Sequence, residues 1–420
     1  MTHGDYRRAV TTARRIMSTL AINAGSSSLK FGLFSDDTCE RLLTGEIDWA
    51  GGDRQQAYLV VRPGQGAATR SRFAVPDDAT AALCAIQAAA DSTLSVANGA
   101  APITAVGHRV VHGGEDFRAS VLIDQRVKAR IGRLCALTPL HNPPALKAIE
   151  AAEMILPGLP QVAVFDTAFY ASLAPKAYLY PVPYDWSERW GIRRFGFHGI
   201  SHAYCANLAA GMMGRDLDQL RIISCHLGGG CSATAVRGGV AVATTGGFSP
   251  LEGLMMGTRC GSIDPGILLH LQREQSLSLD ELDRALNYSS GLLGISGVSA
   301  DLTQIEAAAA QGNKHACLAF DMFADKVRSS IGALAATLGG LDAVLFTDRI
   351  GERSSALRAA VCEGLQFMGI QLDQKHNVIC RPDADIASAD SPARVLVIHT
   401  EEELMVAREA HRVAGVSQTD

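Results

Sequence analysis

Two segments of the chain share one pattern, in which a short apolar strand leads through a turn of small residues into a second strand. The first reads STLAINAGSSSLKFGLF and begins at Ser18, and the second reads RIISCHLGGGCSATAV and begins at Arg221. A hairpin with a Gly- or Ser-rich tip can point backbone N–H groups at a phosphate. The two copies lie in opposite halves of the chain, so they predict an internally duplicated fold with a nucleotide between its lobes. Two ordinary hairpins without a ligand are the alternative at this point.

Further apolar runs indicate an α/β architecture. Short runs rich in Val, Ile, Leu and Phe predict strands, and Ala-rich stretches between them predict helices. The predicted strands are 18–23, 105–111, 161–165, 221–226, 343–347 and 394–398, and the predicted helices are 78–97, 144–155, 204–213 and one long helix over 305–338.

Composition excludes several classes of protein. A length of 420 residues predicts two or three domains, at roughly 100–200 residues each. The net charge of −5 provides no basic field for nucleic acid or an anionic membrane surface. No apolar run reaches the roughly 18 residues of a membrane span. The ten cysteines include no CxxC pair, which is typical of reduced thiols in the cytoplasm. Residues 1–17 are Arg- and Thr-rich and are interpreted as a disordered extension.

Three motifs place single polar residues in apolar or stiff surroundings. In AVGHRVVHGG, Arg109 stands among β-branched residues and needs either a buried carboxylate partner or an anionic ligand. In LTPLHNPP, His141 precedes paired prolines, which stiffen the backbone. In VAVFDTAF, Asp166 ends a strand, where ligands of open α/β sheets bind.

Three further residues complete a set suited to phosphoryl transfer. His198 lies between glycines in GFHG, Arg259 lies in the Gly-rich loop PLEGLMMGTRCGSIDPG, and Glu402 offers the carboxylate oxygen that Mg²⁺ favours. Phosphoryl transfer depends on positioning and on cations more than on covalent chemistry. No Walker A motif and no GxGxxG motif occurs, so neither a P-loop nor a dinucleotide-binding fold is predicted.

With these motifs assembled, the chain resembles the acetate kinases, the acetokinase family, from about Ser18 to about Glu409. The resemblance implies a duplicated actin-like, sugar-kinase-type (ribonuclease H-like) α/β fold with a ligand cleft between two lobes. It implies a cytoplasmic homodimer that transfers phosphate reversibly between ATP and acetate, giving ADP and acetyl phosphate, with Mg²⁺ or Mn²⁺. The expected lobes are 18–166 plus 400–420 at the N-terminal side and 167–399 at the C-terminal side.

The resemblance also implies roles for individual residues. Asp166, His198 and Arg259 are expected to be catalytic, and Asn23 and Glu402 to hold the metal. Substrate-binding residues are expected to be Arg109, His141, Val111, Leu140, Phe197 and Pro250. Nucleotide-binding residues are expected to be Lys30, His226, Leu227, Gly228, Gly229, Gly230, Asp301, Leu302, Thr303, Arg349, Ile350, Gly351, Glu352 and Arg353.

Departures from the family pattern concentrate on the nucleotide side. Gly229 stands where Asn is usual, and Asp348, Arg349 and Arg353 stand where Ala, Gly and Asn are usual. Two alternatives to ATP-dependent acetate phosphorylation therefore stay open: pyrophosphate or another donor (or propionate as acceptor), and a non-catalytic ligand-binding protein. The Arg349 side chain either turns to solvent or to Asp348 or Glu352, or it projects into the adenosine pocket.

Overall fold

The structure is a computed structural model that describes residues 17–25, 28–49, 57–64, 67–95 and 101–417. The extension interpreted as disordered lies outside the described residues except for its last residue, Met17. The tip of the first Ser-rich turn, residues 26–27, also lies outside them.

Fourteen strands are described. They are β1 (Ser18–Ala24), β2 (Ser28–Ser35), β3 (Arg41–Asp48), β4 (Ala57–Pro63), β5 (Thr69–Phe73), β6 (Ile103–Val110), β7 (Val121–Leu122), β8 (Gln161–Phe165), β9 (Arg221–Leu227), β10 (Cys231–Arg237), β11 (Val240–Thr244), β12 (Ala343–Thr347), β13 (Ala384–Asp385) and β14 (Arg394–Ile398). They form two sheets, one in the order β5-β4-β3-β2-β1-β6-β8-β7 and one in the order β11-β10-β9-β12-β14-β13.

Fifteen helices connect the described strands. They are α1 (Asp78–Ser95), α2 (Gln125–Leu134), α3 (Asn142–Ile155), α4 (Pro175–Tyr178), α5 (Tyr184–Trp190), α6 (Gly199–Met213), α7 (Pro265–Glu274), α8 (Leu279–Tyr288), α9 (Gly291–Ser296), α10 (Leu302–Ala310), α11 (Lys314–Leu338), α12 (Asp348–Arg353), α13 (Ser355–Cys362), α14 (Gln374–Ile379) and α15 (Glu402–Ser417). Short 3₁₀ turns follow at Asp166–Tyr170, Leu217–Gln219 and Gln366–Met368. Among the described helices, none is long and apolar enough to cross a membrane.

The two sheets repeat one topology, which confirms the predicted duplicated α/β fold. In the first, β1 pairs antiparallel with β2 and parallel with β6. In the second, β9 pairs antiparallel with β10 and parallel with β12. Each hairpin continues into a third antiparallel strand, β3 or β11. The two sequence segments that share a pattern therefore occupy equivalent places in their sheets.

The six predicted strands are confirmed to within two residues, but one helix prediction is wrong. The stretch 305–338 is two helices, α10 and α11, because Gly312 adopts a left-handed φ of 85° between them. Asn313 then caps α11 through a side-chain bond to the Ala316 N–H. The Ala-rich composition on both sides of this turn hid the break, since alanine favours helix everywhere.

The chain divides into two compact units, each with its own core. The first comprises the described residues of 1–108, 144–163 and 406–420, and the second comprises 109–143 and 164–405, so the division falls within β6, α3, β8 and α15. In the first unit, α1 packs on β2 and β3. In the second, α11 packs on β9, β10 and β11 and buries Phe323, Val327 and Ile331 completely. The lobe boundaries expected from the sequence stay a prediction.

One buried arginine fastens the segment that follows β12. The side chain of Arg358 is only 2% exposed. Its Nη1 donates to the carbonyl oxygens of Gly351 and Glu352 at 2.9 and 2.8 Å. Its Nε and Nη2 donate to the Asn377 side-chain and backbone oxygens, both at 2.8 Å. Arg358 therefore links α12, α13 and α14 through four acceptors.

We predict that Arg358→Leu lowers the free energy of unfolding by roughly 3 kcal/mol, because it leaves several buried acceptors without donors. Urea denaturation measures this loss. Arg189→Leu is the matched control, since that side chain is 66% exposed and its loss should change stability by less than about 0.5 kcal/mol. An Arg358→Leu protein as stable as this control would contradict the role assigned to Arg358.

Candidate active site

A buried ion triad lies at the carboxyl ends of β6 and β8. Nη2 of Arg109 lies 2.7 Å from Oδ2 of Asp166, and its Nη1 lies 2.9 Å from Oε2 of Glu402. Asp166 is fully buried and Glu402 nearly so. Burial disfavours the charge on Arg109, but the two carboxylates outweigh it and raise its pKa. The buried carboxylate partner expected for Arg109 is therefore present, and it is the predicted catalytic Asp166.

The second oxygen of the Asp166 carboxylate has a different environment. Oδ1 of Asp166 is buried and has no hydrogen-bond partner of ordinary geometry among the described residues. Burial raises the pKa of Asp166, and Arg109 counteracts that effect. No cluster of three or more His, Cys, Asp or Glu side chains suited to a metal occurs in the described part of the chain. Mg²⁺ usually takes only one or two protein carboxylates, completing its shell with water and phosphate, so Asp166 and Glu402 fit this ion.

The predicted catalytic residues His198 and Arg259 meet at the second Gly-rich turn. A Cβ atom on Gly230 would lie 2.7 Å from Nη2 of Arg259 and 3.3 Å from Nε2 of His198. His198 has a left-handed φ of 56° immediately before α6. Arg259 is anchored by an Nη1 bond of 2.7 Å to the carbonyl oxygen of Pro250. Two nitrogen donors thus converge on backbone that has no side chain.

Burial keeps His198 and His202 neutral. It is the main cause that lowers the pKa of His198 well below its ordinary value, with His226 and Arg109 adding to the effect. Burial also lowers the pKa of His202. The rings of His198 and His226 stack at 4.1 Å between centroids. A neutral imidazole presents one N–H donor and one acceptor nitrogen, so its tautomer decides what it offers to a ligand.

Sequence reasoning missed the serines that hold these rings. Ser232 lies 2.8 Å from Nδ1 of His198 and 2.8 Å from Nε2 of His202. Ser224 lies 2.8 Å from Nδ1 of His202, and Ser201 lies 2.9 Å from Nδ1 of His226. Ser224 and Ser232 are buried polar residues in strands β9 and β10, each next to apolar residues, and this was the available signal.

A cavity of about 260 Å³ opens on the other side of Arg259. Leu140, His141 and Pro250 line it together with Arg259. Burial, and then the charges of Arg259 and Arg109, lower the pKa of His141 to about 3, so this ring is neutral near pH 7. The structure thus brings together three of the residues expected to bind the carboxylate substrate and the expected catalytic Arg259.

The three other expected substrate residues, Arg109, Val111 and Phe197, are not among the residues that line this cavity. Asn142, which sequence reasoning also missed, joins the segment after β6 to the turn that carries His141. Its Oδ1 accepts from the His112 N–H at 3.1 Å, and its Nδ2 donates to the His112 carbonyl oxygen at 3.0 Å. This clamp places the chain carrying Arg109 beside the turn carrying His141.

The expected nucleotide loops carry charges that contact one another. Oδ2 of Asp348 lies 3.4 Å from Nε2 of His226, and it would lie 1.6 Å from a Cβ atom on Gly228. Asp348 reaches this point with a left-handed φ of 63°. Nη1 of Arg349 lies 3.2 Å from Oδ2 of Asp301. The partner of Arg349 is therefore Asp301, which is none of the partners considered from the sequence.

The remaining expected nucleotide residues differ in exposure. Leu227, Leu302, Ile350 and Gly351 are buried, Glu352 bonds to His399 at 2.9 Å, and Gly229, Thr303, Arg349 and Arg353 are exposed. Gly229 has open space where a Cβ would stand. In the first unit, Asn23 is the last but one residue of β1, and its register partner on β2 is Lys30, which is exposed.

Comparison with known proteins identifies the family. The acetokinase family model matches residues 18–408. An acetate kinase of Cyanothece sp. is 47% identical over 401 residues, which is 94% of this chain and 97% of that protein. One from Desulfitobacterium hafniense is 45% identical over 391 residues, 93% of this chain and 98% of that protein.

Solved structures agree. The crystal structure of Porphyromonas gingivalis acetate kinase matches with a TM-score of 0.84 and 38% identity, covering 94% of this chain and 99% of that one. A propionate kinase from Francisella tularensis matches with a TM-score of 0.85 and 34% identity, covering 95% and 100%. The chain therefore belongs to the acetokinase family, whose enzymes are phosphotransferases with a carboxyl group as acceptor.

Proposed function

We propose that the chain is an acetate kinase that transfers the terminal phosphoryl group of ATP to acetate, reversibly, giving ADP and acetyl phosphate. One observation carries the proposal. Arg259 lines the 260 Å³ cavity and also lies beside Gly230 of the second Gly-rich turn. A small carboxylate in the cavity and a phosphate at the turn would therefore meet at one guanidinium group.

The chemistry needs charge stabilisation and no general base. Acetate is ionised near pH 7, so its oxygen attacks phosphorus directly as the bond to the ADP oxygen breaks. Negative charge spreads over the three equatorial oxygens of the transferred group. Arg259 and neutral His198 would donate hydrogen bonds to those oxygens, where preorganised donors lower the barrier most.

The ion triad would position the reactants. Arg109 holds Asp166 and Glu402 in place, and its charge also attracts the acetate carboxylate. Glu402 and Asp166 would hold Mg²⁺ or Mn²⁺, and Asn23 stays a predicted ligand. When bound, the cation would neutralise charge on the donor phosphates.

We predict that wild-type protein forms acetyl phosphate from ATP, acetate and Mg²⁺. Arg259→Ala and His198→Ala should each lower kcat by about 10²–10³, because each removes a donor to the transferred group. Arg109→Ala should also raise KM for acetate, since Arg109 acts on the bound substrate as well. Steady-state kinetics, with hydroxylamine trapping of acetyl phosphate, measures these values.

Wild-type turnover no higher than that of Arg259→Ala would refute the proposal. Tight binding of acetyl phosphate without transfer to any acceptor would instead favour a non-catalytic ligand-binding protein. The presence of Arg109, Asp166, His198 and Arg259 around one region argues against that alternative.

The cavity also bears on the acyl substrate. An added methylene changes discrimination by only about 1–3 kcal/mol, so acetate and propionate are close competitors. Leu140 lines the cavity and limits the space for a longer chain. The proposal therefore takes acetate as the preferred acid.

We predict that kcat/KM for acetate equals or exceeds that for propionate, and that Leu140→Ala shifts the ratio toward propionate by about tenfold. Leu217→Ala is the control, since Leu217 packs on a separate cluster of the second unit. Competition assays with both acids measure the ratio. A strong wild-type preference for propionate would overturn the choice of acetate, and an unshifted ratio in Leu140→Ala would show that the acyl group binds elsewhere.

A second candidate, transfer from pyrophosphate or another donor, is favoured by one ion pair on the expected nucleotide loops. The Arg349–Asp301 ion pair joins two segments expected to hold adenosine. The Asp348 carboxylate lies against Gly228, where it would repel the phosphates of any polyphosphate donor. An inorganic donor needs no adenosine pocket, so the ion pair would hinder it less than ATP.

We predict that Asp348→Ala and Asp348→Asn both lower KM for ATP by about fivefold or more, since one charge at about 4 Å is worth about 1 kcal/mol even in water. KM for acetate should not change. Arg349→Gly removes the ion pair and serves as the comparison for nucleoside access. Initial rates with ATP and with pyrophosphate decide between donors. If the wild type turns over pyrophosphate and accepts ATP only after Arg349→Gly, the phosphoryl donor is pyrophosphate and not ATP.

The homodimer stays a prediction from the family resemblance. The cytoplasmic location and the absence of nucleic-acid and membrane partners stay predictions from composition and charge.

A further inference from the structure

Ser232 occupies a junction between two buried histidines. Its side chain is about 1% exposed. Its hydroxyl lies 2.8 Å from Nδ1 of His198 and 2.8 Å from Nε2 of His202. Nδ1 of His202 lies in turn 2.8 Å from the hydroxyl of Ser224. The order Ser224, His202, Ser232, His198 is therefore one unbroken chain of hydrogen bonds within the second unit.

Hydrogen counting limits how this chain can be arranged. A hydroxyl has one hydrogen to donate, and a neutral imidazole has one N–H. The carbonyl oxygen of Phe197 competes weakly for the Ser232 hydrogen, because it lies 3.4 Å away. That oxygen already accepts from the hydroxyl of Tyr170 at 2.6 Å. The Ser232 hydrogen therefore goes to one of the two histidines.

Two arrangements of the hydrogens remain, and they place the His198 hydrogen on different ring nitrogens. If Ser224 donates to His202, His202 donates to Ser232, and Ser232 donates to Nδ1 of His198. The His198 hydrogen then stands on Nε2, the atom beside Gly230 and Arg259. In the reverse order Nε2 carries a lone pair, which would repel an anionic phosphoryl group and is favoured only by the nearby Arg259 charge.

We propose that Ser232 is a positioning residue that holds neutral His198 in the tautomer with its hydrogen on Nε2, so that His198 donates to the transferred phosphoryl group. This inference rests on the proposed function for the choice between the two orders. No proton moves along the chain in the reaction. The hydrogen bond from Ser232 supplies the orientation that Arg259 alone would oppose.

Nitrogen NMR tests the tautomer directly. Protein labelled with ¹⁵N at histidine is recorded without ligand, and the His198 signals are assigned by their absence in His198→Gln. Long-range ¹H–¹⁵N correlations distinguish the Nε2–H tautomer from the Nδ1–H tautomer. We expect Nε2–H in the wild type and a mixture in Ser232→Ala. An Nδ1–H tautomer in the wild type would overturn the inference, whatever the variants do.

Kinetics provides the second measurement. Ser232→Ala should lower kcat about tenfold or more with KM for acetate and ATP nearly unchanged, and Ser232→Thr, which keeps the hydroxyl, should recover part of it. Ser391→Ala is the matched control, since Ser391 is a buried serine that bonds to the carbonyl oxygens of Gly369 and Ala393. Its kcat should be unchanged.

The outcomes separate this inference from the proposed function. A folded Ser232→Ala protein with wild-type tautomer and wild-type kcat would refute the positioning role. An inactive wild type whose His198 nevertheless changes tautomer in Ser232→Ala would keep the role of Ser232 and remove the acetate kinase proposal. If Ser232→Ala does not fold, the wild-type tautomer and the Ser224→Ala variant, which should also yield a mixture, decide the question.

Discussion

The ion pairs of the buried Arg109 side chain are the interaction on which the second unit depends. A guanidinium group taken out of water is stable only with close carboxylates, and leaving such a charge unpaired costs several kcal/mol. Asp166 and Glu402 meet this need at 2.7 and 2.9 Å. The requirement holds the end of β6, the end of β8 and the start of α15 together. It also concentrates two carboxylates at one place, which is the arrangement that a metal–phosphate complex uses.

A second constraint comes from backbone that lacks side chains. Gly230 allows Arg259 and His198 to approach the turn between β9 and β10, since a Cβ atom there would meet both. The same turn is the counterpart, in the second sheet, of the Ser-rich turn between β1 and β2. Duplication of the topology thus supplies two turns, and in the second one the surrounding loops have added cationic and imidazole groups.

The charged residues on the expected nucleotide loops have partners within the protein. Asp348, Arg349 and Asp301 satisfy one another or His226 in the protein alone. Such partly exposed ion pairs contribute little stability. Arg259 takes no part in them, because it is anchored by the backbone carbonyl oxygen of Pro250.

The sequence by itself determined the strands, the duplicated pattern and the motif residues, because burial and strand periodicity are written locally in runs of Val, Ile and Leu. It also determined that Arg109 needs either a carboxylate partner or an anionic ligand. Only the tertiary structure decided that Arg349 pairs with Asp301, that Val111 and Phe197 stand off the cavity, and that Ser232 bridges two histidines. These residues are far apart in the chain. Their geometry depends on how the strands and loops pack, and no local pattern encodes it.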